Sequence, residues 1–409
     1  MKKDALILGG GIAGLWCAWE LARLGLESTI VETAAFPGGR AARLCCKATD
    51  ECRRCGACLL EDVLHKVVWS DRITMLLHSD LLQVQGESGD FHATVSQRPA
   101  RIVSDRCNDC GACEATCPVP GALVRSPWDR GLAIDEQKCR WFQDASCRAC
   151  QETCAQDAVN LDRTPEILEL NASTIVLASG FKPSDPHDTP RFGYGRVPGV
   201  VTGLELESLL RQENWEPGPS RKIAFIQCVG SRDAKIGRNY CSRVCCGYAL
   251  RLARLLRNRF PDLSTSMFYM DIQSFERDFD KRLKEIEQEV KLVRSIPSEI
   301  RKGADGSPEL VYQGLDDNRE FESFDLVVLS VGISPNQSSV ELGNIVGASS
   351  NVDGFVGGDG EAAVTSRCGV FVAGTVQGPK SIEETVSHAI RTAGEVASCV
   401  SKISREENE

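Results

Sequence analysis

The stretch Ala5-Leu6-Ile7-Leu8-Gly9-Gly10-Gly11-Ile12-Ala13-Gly14 decides the fold. Its first four residues form a short apolar run of the kind buried in a parallel sheet. The run breaks at glycines spaced G-x-G-x-x-G and passes into a helical pattern over Ala13 to Leu24, with small residues on the packed face. Gly25 ends that helix, and Ser28-Thr29-Ile30-Val31-Glu32 reads as the next strand. This is a βαβ unit. Its glycines permit a tight turn and close backbone approach, while the helix N-terminus turns the positive end of its dipole toward a pyrophosphate. Gly9, Gly11, Ile12, Ala13 and Gly14 are therefore candidate cofactor contacts, and Glu32 can accept hydrogen bonds from a ribose. On these residues alone NAD fits as well as FAD.

Three later segments tip the choice to FAD. Phe36-Pro37-Gly38-Gly39-Arg40 follows the second strand, Ala178-Ser179-Gly180-Phe181 follows the buried run Thr174 to Leu177, and Gly369 to Thr375 precedes a final helix beginning at Ile382. Together they resemble the two-dinucleotide-binding-domain flavoproteins of thioredoxin reductase type, an α/β class. The resemblance implies cofactor contacts at Gly38, Gly39, Arg40, Ala178, Ser179, Gly180, Gly374, Thr375 and Ile382. Those proteins carry Gly-Asp where this chain has Gly374-Thr375. A second α/β block over 221–334 stands where they bind a nicotinamide nucleotide, but its first strand, Lys222 to Gln227, runs into Cys228-Val229-Gly230-Ser231-Arg232-Asp233 without a glycine fingerprint. It reads as a lost NAD(P) site.

All but three of the 20 cysteines fall into dense groups; Cys17, Cys368 and Cys399 stand alone as packing residues. In the middle group, Cys107-x2-Cys110-x2-Cys113-x3-Cys117-Pro118 is the run that wraps a [4Fe–4S] cluster in bacterial ferredoxins. Cys139-x7-Cys147-x2-Cys150-x3-Cys154 completes a two-cluster pattern with a lengthened loop. Because the fourth cysteine of each run ligates the other cluster, one set is Cys107, Cys110, Cys113 and Cys154, the other Cys139, Cys147, Cys150 and Cys117. Structural zinc is the competing reading. The first group, Cys45, Cys46, Cys52, Cys55 and Cys58, contains a cluster-like triplet with Cys45 or Cys46 as fourth ligand; redox thiols or zinc are its alternatives. The third, Cys228-x12-Cys241-x3-Cys245-Cys246, has neither ferredoxin nor zinc-finger spacing, and a disulfide or redox dithiol is the plainer reading.

The remaining numbers bound the class. A chain of 409 residues suggests about two to three domains. A net charge of −10 offers no basic footprint for nucleic acid, and no apolar run is long enough to span a membrane. Met1-Lys2-Lys3 imitates a signal peptide, but the glycines at 9 to 11 interrupt the apolar stretch. Cysteine-rich composition without an export signal argues for metal ligation in a reducing, anaerobic cytoplasm. The five histidines share no metal spacing. The expected division is 1–100, 163–205 and 336–409 for the FAD domain, 101–162 for an inserted ferredoxin module, and 206–335 for the degenerate second domain. The tail from Ser401 is polar and expected to fray.

Gln227-Cys228-Val229-Gly230-Ser231-Arg232-Asp233, Tyr240-Cys241-Ser242-Arg243-Val244-Cys245-Cys246 and Gly374 to Thr385 carry a wider resemblance. Over residues 1 to 400 the chain resembles the A-type subunits of heterodisulfide reductase, a family that includes the flavoprotein of the quinone-interacting membrane-bound oxidoreductase. The resemblance implies a [4Fe–4S] cluster on Cys228, Cys241, Cys245 and Cys246, and Lys380 near the flavin N5 as the catalytic cation; a solvated surface lysine is the alternative. Three clusters are expected, and a fourth from the first cysteine group, which departs from the family pattern. The N-terminal and C-terminal cluster domains of larger members are not in this sequence.

The function expected is that of a cytoplasmic FAD and iron–sulfur electron-transfer protein within a larger complex, an oxidoreductase that couples electron pairs to single-electron relays by bifurcation or confurcation. Expected partners are heterodisulfide reductase B- and C-type subunits, ferredoxin, or hydrogenase or dehydrogenase proteins, with a homodimer also compatible. The alternatives are a self-contained NAD(P)H:acceptor oxidoreductase of the glutamate synthase small-subunit kind, and a cluster scaffold with an empty flavin site.

Overall fold

The computed structural model describes residues 2–47, 52, 55–212, 214–218, 221–273, 279–314, 316–358 and 362–406. The opening run forms the strand Lys3–Leu8, flanked in parallel by Ser28–Val31 and by the C-terminal half of Glu166–Leu177. Ile73–Leu76 extends one side and Val370–Val372 pairs with Ile175 to Leu177 on the other. Every residue of Ser28–Val31 and Val370–Val372 is buried, as expected for strands covered on both faces. One face packs on the helices Ile12–Arg23, Leu59–Val68 and Ile382–Glu406 through Leu15, Ala18, Leu21, Val63, Ala389 and Ala393. The last helix continues through Glu406, past Ser401 where fraying was expected, because Val400 docks in this core and Ser404 Oγ bonds the Val400 carbonyl at 3.1 Å.

A hairpin, Ser79–Glu87 with Asp90–Gln97, completes the sheet antiparallel to the N-terminal half of Glu166–Leu177. Its register places Gln97 opposite Glu166, so residues 98–165 leave and re-enter the sheet at adjacent points. This segment is built as a small unit with its own core of Ile102, Ala122, Ile134, Val159 and Leu161 around Cys139 and Cys150. It holds three five-residue helices (Ala112–Thr116, Arg140–Asp144, Ala149–Thr153) and the hairpin Leu123–Arg125 with Leu132–Ile134. A bridge between Ile102 and Val159 closes its neck.

The second sheet is fully parallel, in the order Val200–Thr202, Leu326–Val331, Lys222–Val229, Ser264–Phe268, Lys291–Val293. Helices Gly203–Leu210 and Cys245–Arg259 cover one face; the antiparallel meander Glu299–Lys302, Pro308–Gln313, Arg319–Ser323 covers the other. The helix Phe279–Ile286 lies between Ser264–Phe268 and Lys291–Val293, residues 274–278 lying outside the described set. No helix among the described residues is long and apolar enough to cross a membrane.

Candidate functional site

At the carboxyl ends of the first sheet's strands lies a cavity of about 1400 Å³, walled by the glycine turn, the insert, the first cysteine segment and the second domain. Its cradle follows from the glycines. Gly9 has φ +119°, and a side chain there would meet the Ala178 carbonyl at 2.5 Å. At Gly14 a β-carbon would stand 1.9 Å from the Gly9 oxygen, so the helix packs directly on the turn. Gly11 faces open space, with no atom within 4 Å of where its β-carbon would be. It caps the helix Ile12–Arg23 without any side chain claiming the first amides. Gly38 closes the rim by donating its N–H to the Gly10 carbonyl at 2.7 Å. An open, uncapped helix N-terminus with glycine at its mouth fits a pyrophosphate.

Glu32 sits at the end of its strand and accepts N–H bonds from Gly10 (2.6 Å) and Ala34 (2.8 Å). Burial nonetheless pushes its carboxyl above the usual range, and Asp80 adds to the shift. Arg40 donates Nε to the Phe181 carbonyl at 2.8 Å and stacks over that ring. Ser179 bonds Ser339 at 2.8 Å. Gly374, at φ +76°, packs so closely that a β-carbon would lie 2.7 Å from that of Ala13. Its N–H donates to Nδ1 of buried His388 at 2.9 Å, so that nitrogen is an acceptor. His388 thus holds the chain reversal beside Thr375. Lys380 and Ile382 line the cavity with Thr375, and the Lys380 ammonium donates to Gln377 at 3.2 Å.

The cysteine groups converge on this region differently. In the second domain, Cys228 is the penultimate residue of its strand, at φ +60°, and Cys245 and Cys246 open the helix Cys245–Arg259. Burial drives the Cys245 thiol well up, with Cys228, Cys246 and Cys241 all contributing; Cys228 is pushed up to about 12. Cys245 and Cys246 are buried and Cys228 and Cys241 half-buried; the residues just before the helix supply Arg243 and Val244 to the cavity wall, and the helix supplies Tyr248. The segments that follow the strands Lys222–Val229 and Leu326–Val331 pack closely on one another. A β-carbon at Gly332 would stand 2.2 Å from Ser242 Oγ, and that oxygen already accepts the Ile333 N–H at 2.8 Å.

In the insert, burial pushes Cys150 up to about 11, with Cys139, Cys117 and Cys147 adding to it. Cys117, from the first run, therefore lies among the cysteines of the second. Burial also raises Cys113, which neighbours Glu114 and Cys107. Cys154 accepts the Ala158 N–H at 3.3 Å and packs with Cys107 and Cys113 around the module core. Cys110 is exposed. Among the described residues no three Cys, His, Asp or Glu side chains stand in closed metal-ligand geometry. The chain presents sets of neighbouring soft thiols whose crowding a cation would relieve, a donor set that fits iron–sulfur clusters.

The first group is split. Cys45 packs against the second domain's core and donates its N–H to Glu207 at 2.8 Å. Glu207 is placed by the helix Gly203–Leu210, opened by a Thr202/Glu205 capping box. Cys46, Cys52 and Cys58 are exposed, while Cys55 lines the cavity; residues 48–51, 53 and 54 lie outside the described set. Gly56 touches the final helix, since a β-carbon there would stand 2.8 Å from Ile382.

The sequence pattern does not single out Lys47, Glu207, Arg243, Glu384 or the role of His388. Ser381-x-x-Glu384 is a capping-box signature that could flag Glu384. Lys47 and Glu207 lie too far apart in sequence to signal a pair.

A family model described as an NAD(P)-binding Rossmann-like domain matches residues 7–49. The A-type subunit of the H(2):CoB-CoM heterodisulfide,ferredoxin reductase of Methanothermobacter thermautotrophicus is 32% identical over 97% of this chain and 64% of its own length. The second of the A-type iron–sulfur subunits of CoB–CoM heterodisulfide reductase in Methanopyrus kandleri gives 32% identity over the same shares. The chain thus spans a little under two thirds of the length of these relatives. A thioredoxin reductase crystal structure from T. acidophilum superposes with a TM-score of 0.55 at 14% identity, covering 97% of this chain and 98% of that one. That likeness shows the fold, two linked dinucleotide-binding domains.

Proposed function

The chain is a relative of the A-type subunits of heterodisulfide reductase over 97% of its length, and from that premise we propose that it is an FAD- and [4Fe–4S]-containing electron-transfer component of a multi-subunit oxidoreductase. The observation that carries the proposal is the single cavity walled by a pyrophosphate cradle and by segments of all three cysteine groups. FAD, when bound, exchanges electron pairs, and clusters exchange single electrons. The chain's own residues do the rest. The amides beyond Gly11 bind the pyrophosphate, Glu32 accepts ribose hydroxyls, and Lys380 places a cation where negative charge accumulates. Cys107, Cys110, Cys113 and Cys154 would hold one cluster, Cys139, Cys147, Cys150 and Cys117 a second, and Cys228, Cys241, Cys245 and Cys246 a third. A fourth falls to Cys52, Cys55 and Cys58 with Cys45 or Cys46.

The sharper form of the proposal is bifurcation or confurcation with partner proteins in the cytoplasm, residues 101–162 acting as the ferredoxin-like exit and 206–335 as a domain that has exchanged nucleotide binding for a cluster. The lack of a glycine fingerprint after the strand Lys222–Val229, where Cys228-Val229-Gly230-Ser231 stands instead, speaks against a self-contained NAD(P)H oxidoreductase. Stopped-flow mixing of the holoprotein with NADH or NADPH tests this: the flavin band stays unbleached on the proposal, and rapid bleaching reverses it.

A further inference from the structure

Among the described residues, Arg243 joins the third cysteine site to the flavin side of the cavity. It holds φ +63°, a left-handed conformation that costs a non-glycine residue about 1 kcal/mol or more. In that conformation its backbone N–H points at Cys241 Sγ, 3.3 Å away. Its guanidinium pairs with Oε1 of Glu384, 141 positions along the chain. The other Glu384 oxygen accepts the Ser381 N–H at 2.8 Å, and Ser381 Oγ accepts the Glu384 N–H at 3.2 Å. That reciprocal pair opens the final helix directly after Lys380. A continuous path of hydrogen bonds and one ion pair therefore runs from Cys241 through Arg243 and Glu384 to the turn presenting Lys380, and both charged groups face the cavity.

We propose that Arg243 and Glu384 are positioning residues that set, through their opposed charges, the reduction potentials of the third cysteine site and of the flavin together. The proposal rests on the cofactor reading above. Every electron added to either centre adds negative charge to this shared wall, and cluster potentials respond to nearby charge and to hydrogen bonds on their sulfurs. The Arg243 guanidinium is the positive member of the pair. Without it, the Glu384 carboxylate stands uncompensated where electrons must accumulate. Without the carboxylate, the guanidinium acts undiminished. Each side chain is about one-third exposed (37% and 33%), so the effect is screened by salt.

The test is a dye-mediated potentiometric titration of the holoprotein, following the flavin by absorbance and the clusters by electron paramagnetic resonance. Arg243→Gln should lower both potentials, Glu384→Gln should raise both, and Arg243→Lys should stay near the parent. The shifts should shrink as salt is raised. Shifts of the same sign from the two neutralising substitutions, or no shift from either, overturn the proposal, because lost packing alone has no reason to give opposite signs. Should Arg243→Gln lose its cofactors, Glu384→Gln decides alone: a rise supports the proposal and an unmoved potential overturns it. Failure of the underlying cofactor reading would show separately, as unsubstituted protein lacking flavin or iron.

Discussion

The Lys47 ammonium lies 2.5 Å from the Glu207 carboxylate, with the two side chains only 3% and 4% exposed. This buried pair clamps the first cysteine segment to the second domain. Lys47 also donates to the Cys45 carbonyl at 2.8 Å, and Arg211 secures the same stretch through the Ala42 and Leu44 carbonyls. Removing one partner strands a charge in the interior, which typically costs about 3–5 kcal/mol. Lys47→Met should therefore lower the urea midpoint sharply, whereas Lys47→Met with Glu207→Leu should recover much of the loss. Equal destabilisation by the single and double variants would show that the clamp is not electrostatic.

The glycine cradle separates folding from binding. Gly11 has φ −76° and open space before it, so Gly11→Ala should leave the stability of the cofactor-free protein within about 1 kcal/mol of the parent, the chain-entropy gain opposing the loss of glycine at the helix N-cap. The same methyl group enters the pyrophosphate's place and should weaken FAD binding at least about tenfold, roughly 1.4 kcal/mol. Gly14→Ala drives a methyl group into the Gly9 carbonyl and should cost about 1–3 kcal/mol or more of stability. Calorimetry of cofactor-free variants beside fluorescence titration with FAD distinguishes the two.

Glu32 gives the cradle a pH dependence of known sign. Burial raises its carboxyl, so the folded cofactor-free protein holds the proton more tightly than the unfolded chain does. Its stability should fall as pH rises through that raised value. FAD needs the ionised carboxylate as acceptor, so affinity should run the opposite way, falling as pH drops through the same range. Glu32→Gln should abolish this slope and lose about 1.5–3 kcal/mol of binding. An FAD affinity that is flat with pH in the parent protein would remove Glu32 from the ribose contact.

Cys117 lies with Cys139, Cys147 and Cys150 in space although it belongs to the first run in sequence. Cys117→Ala and Cys150→Ala should therefore remove the same cluster, and the double variant should lose no more iron than either single, about four atoms. Cys117→Ala with Cys107→Ala should lose about eight. Iron analysis showing the reverse pattern would mean that each run folds around its own metal.

The elements legible in the sequence are those whose burial is written as continuous apolar runs. Ala5 to Leu8, Thr174 to Leu177 and Val370 to Val372 all lie in the first sheet, and the glycine turn stands where G-x-G-x-x-G placed it. The hairpin Ser79–Glu87 with Asp90–Gln97 is not legible in the same way. Its second strand does alternate Phe91, Ala93 and Val95 inward, but its first buries only Ser79 and Leu81 and carries no period. The cysteine groups are legible as candidate ligand sets because ligand spacing is local. The Lys47–Glu207 clamp and the Arg243–Glu384 bridge leave no such trace, because each partner is an ordinary charged residue until the fold brings them together.

The central claim is tested most directly by the flavin and iron content of protein purified under strict anaerobiosis. One FAD and about 16 irons per chain, four to each of four clusters, is the predicted result. Colourless protein, free of both flavin and iron after anaerobic preparation, would contradict the account.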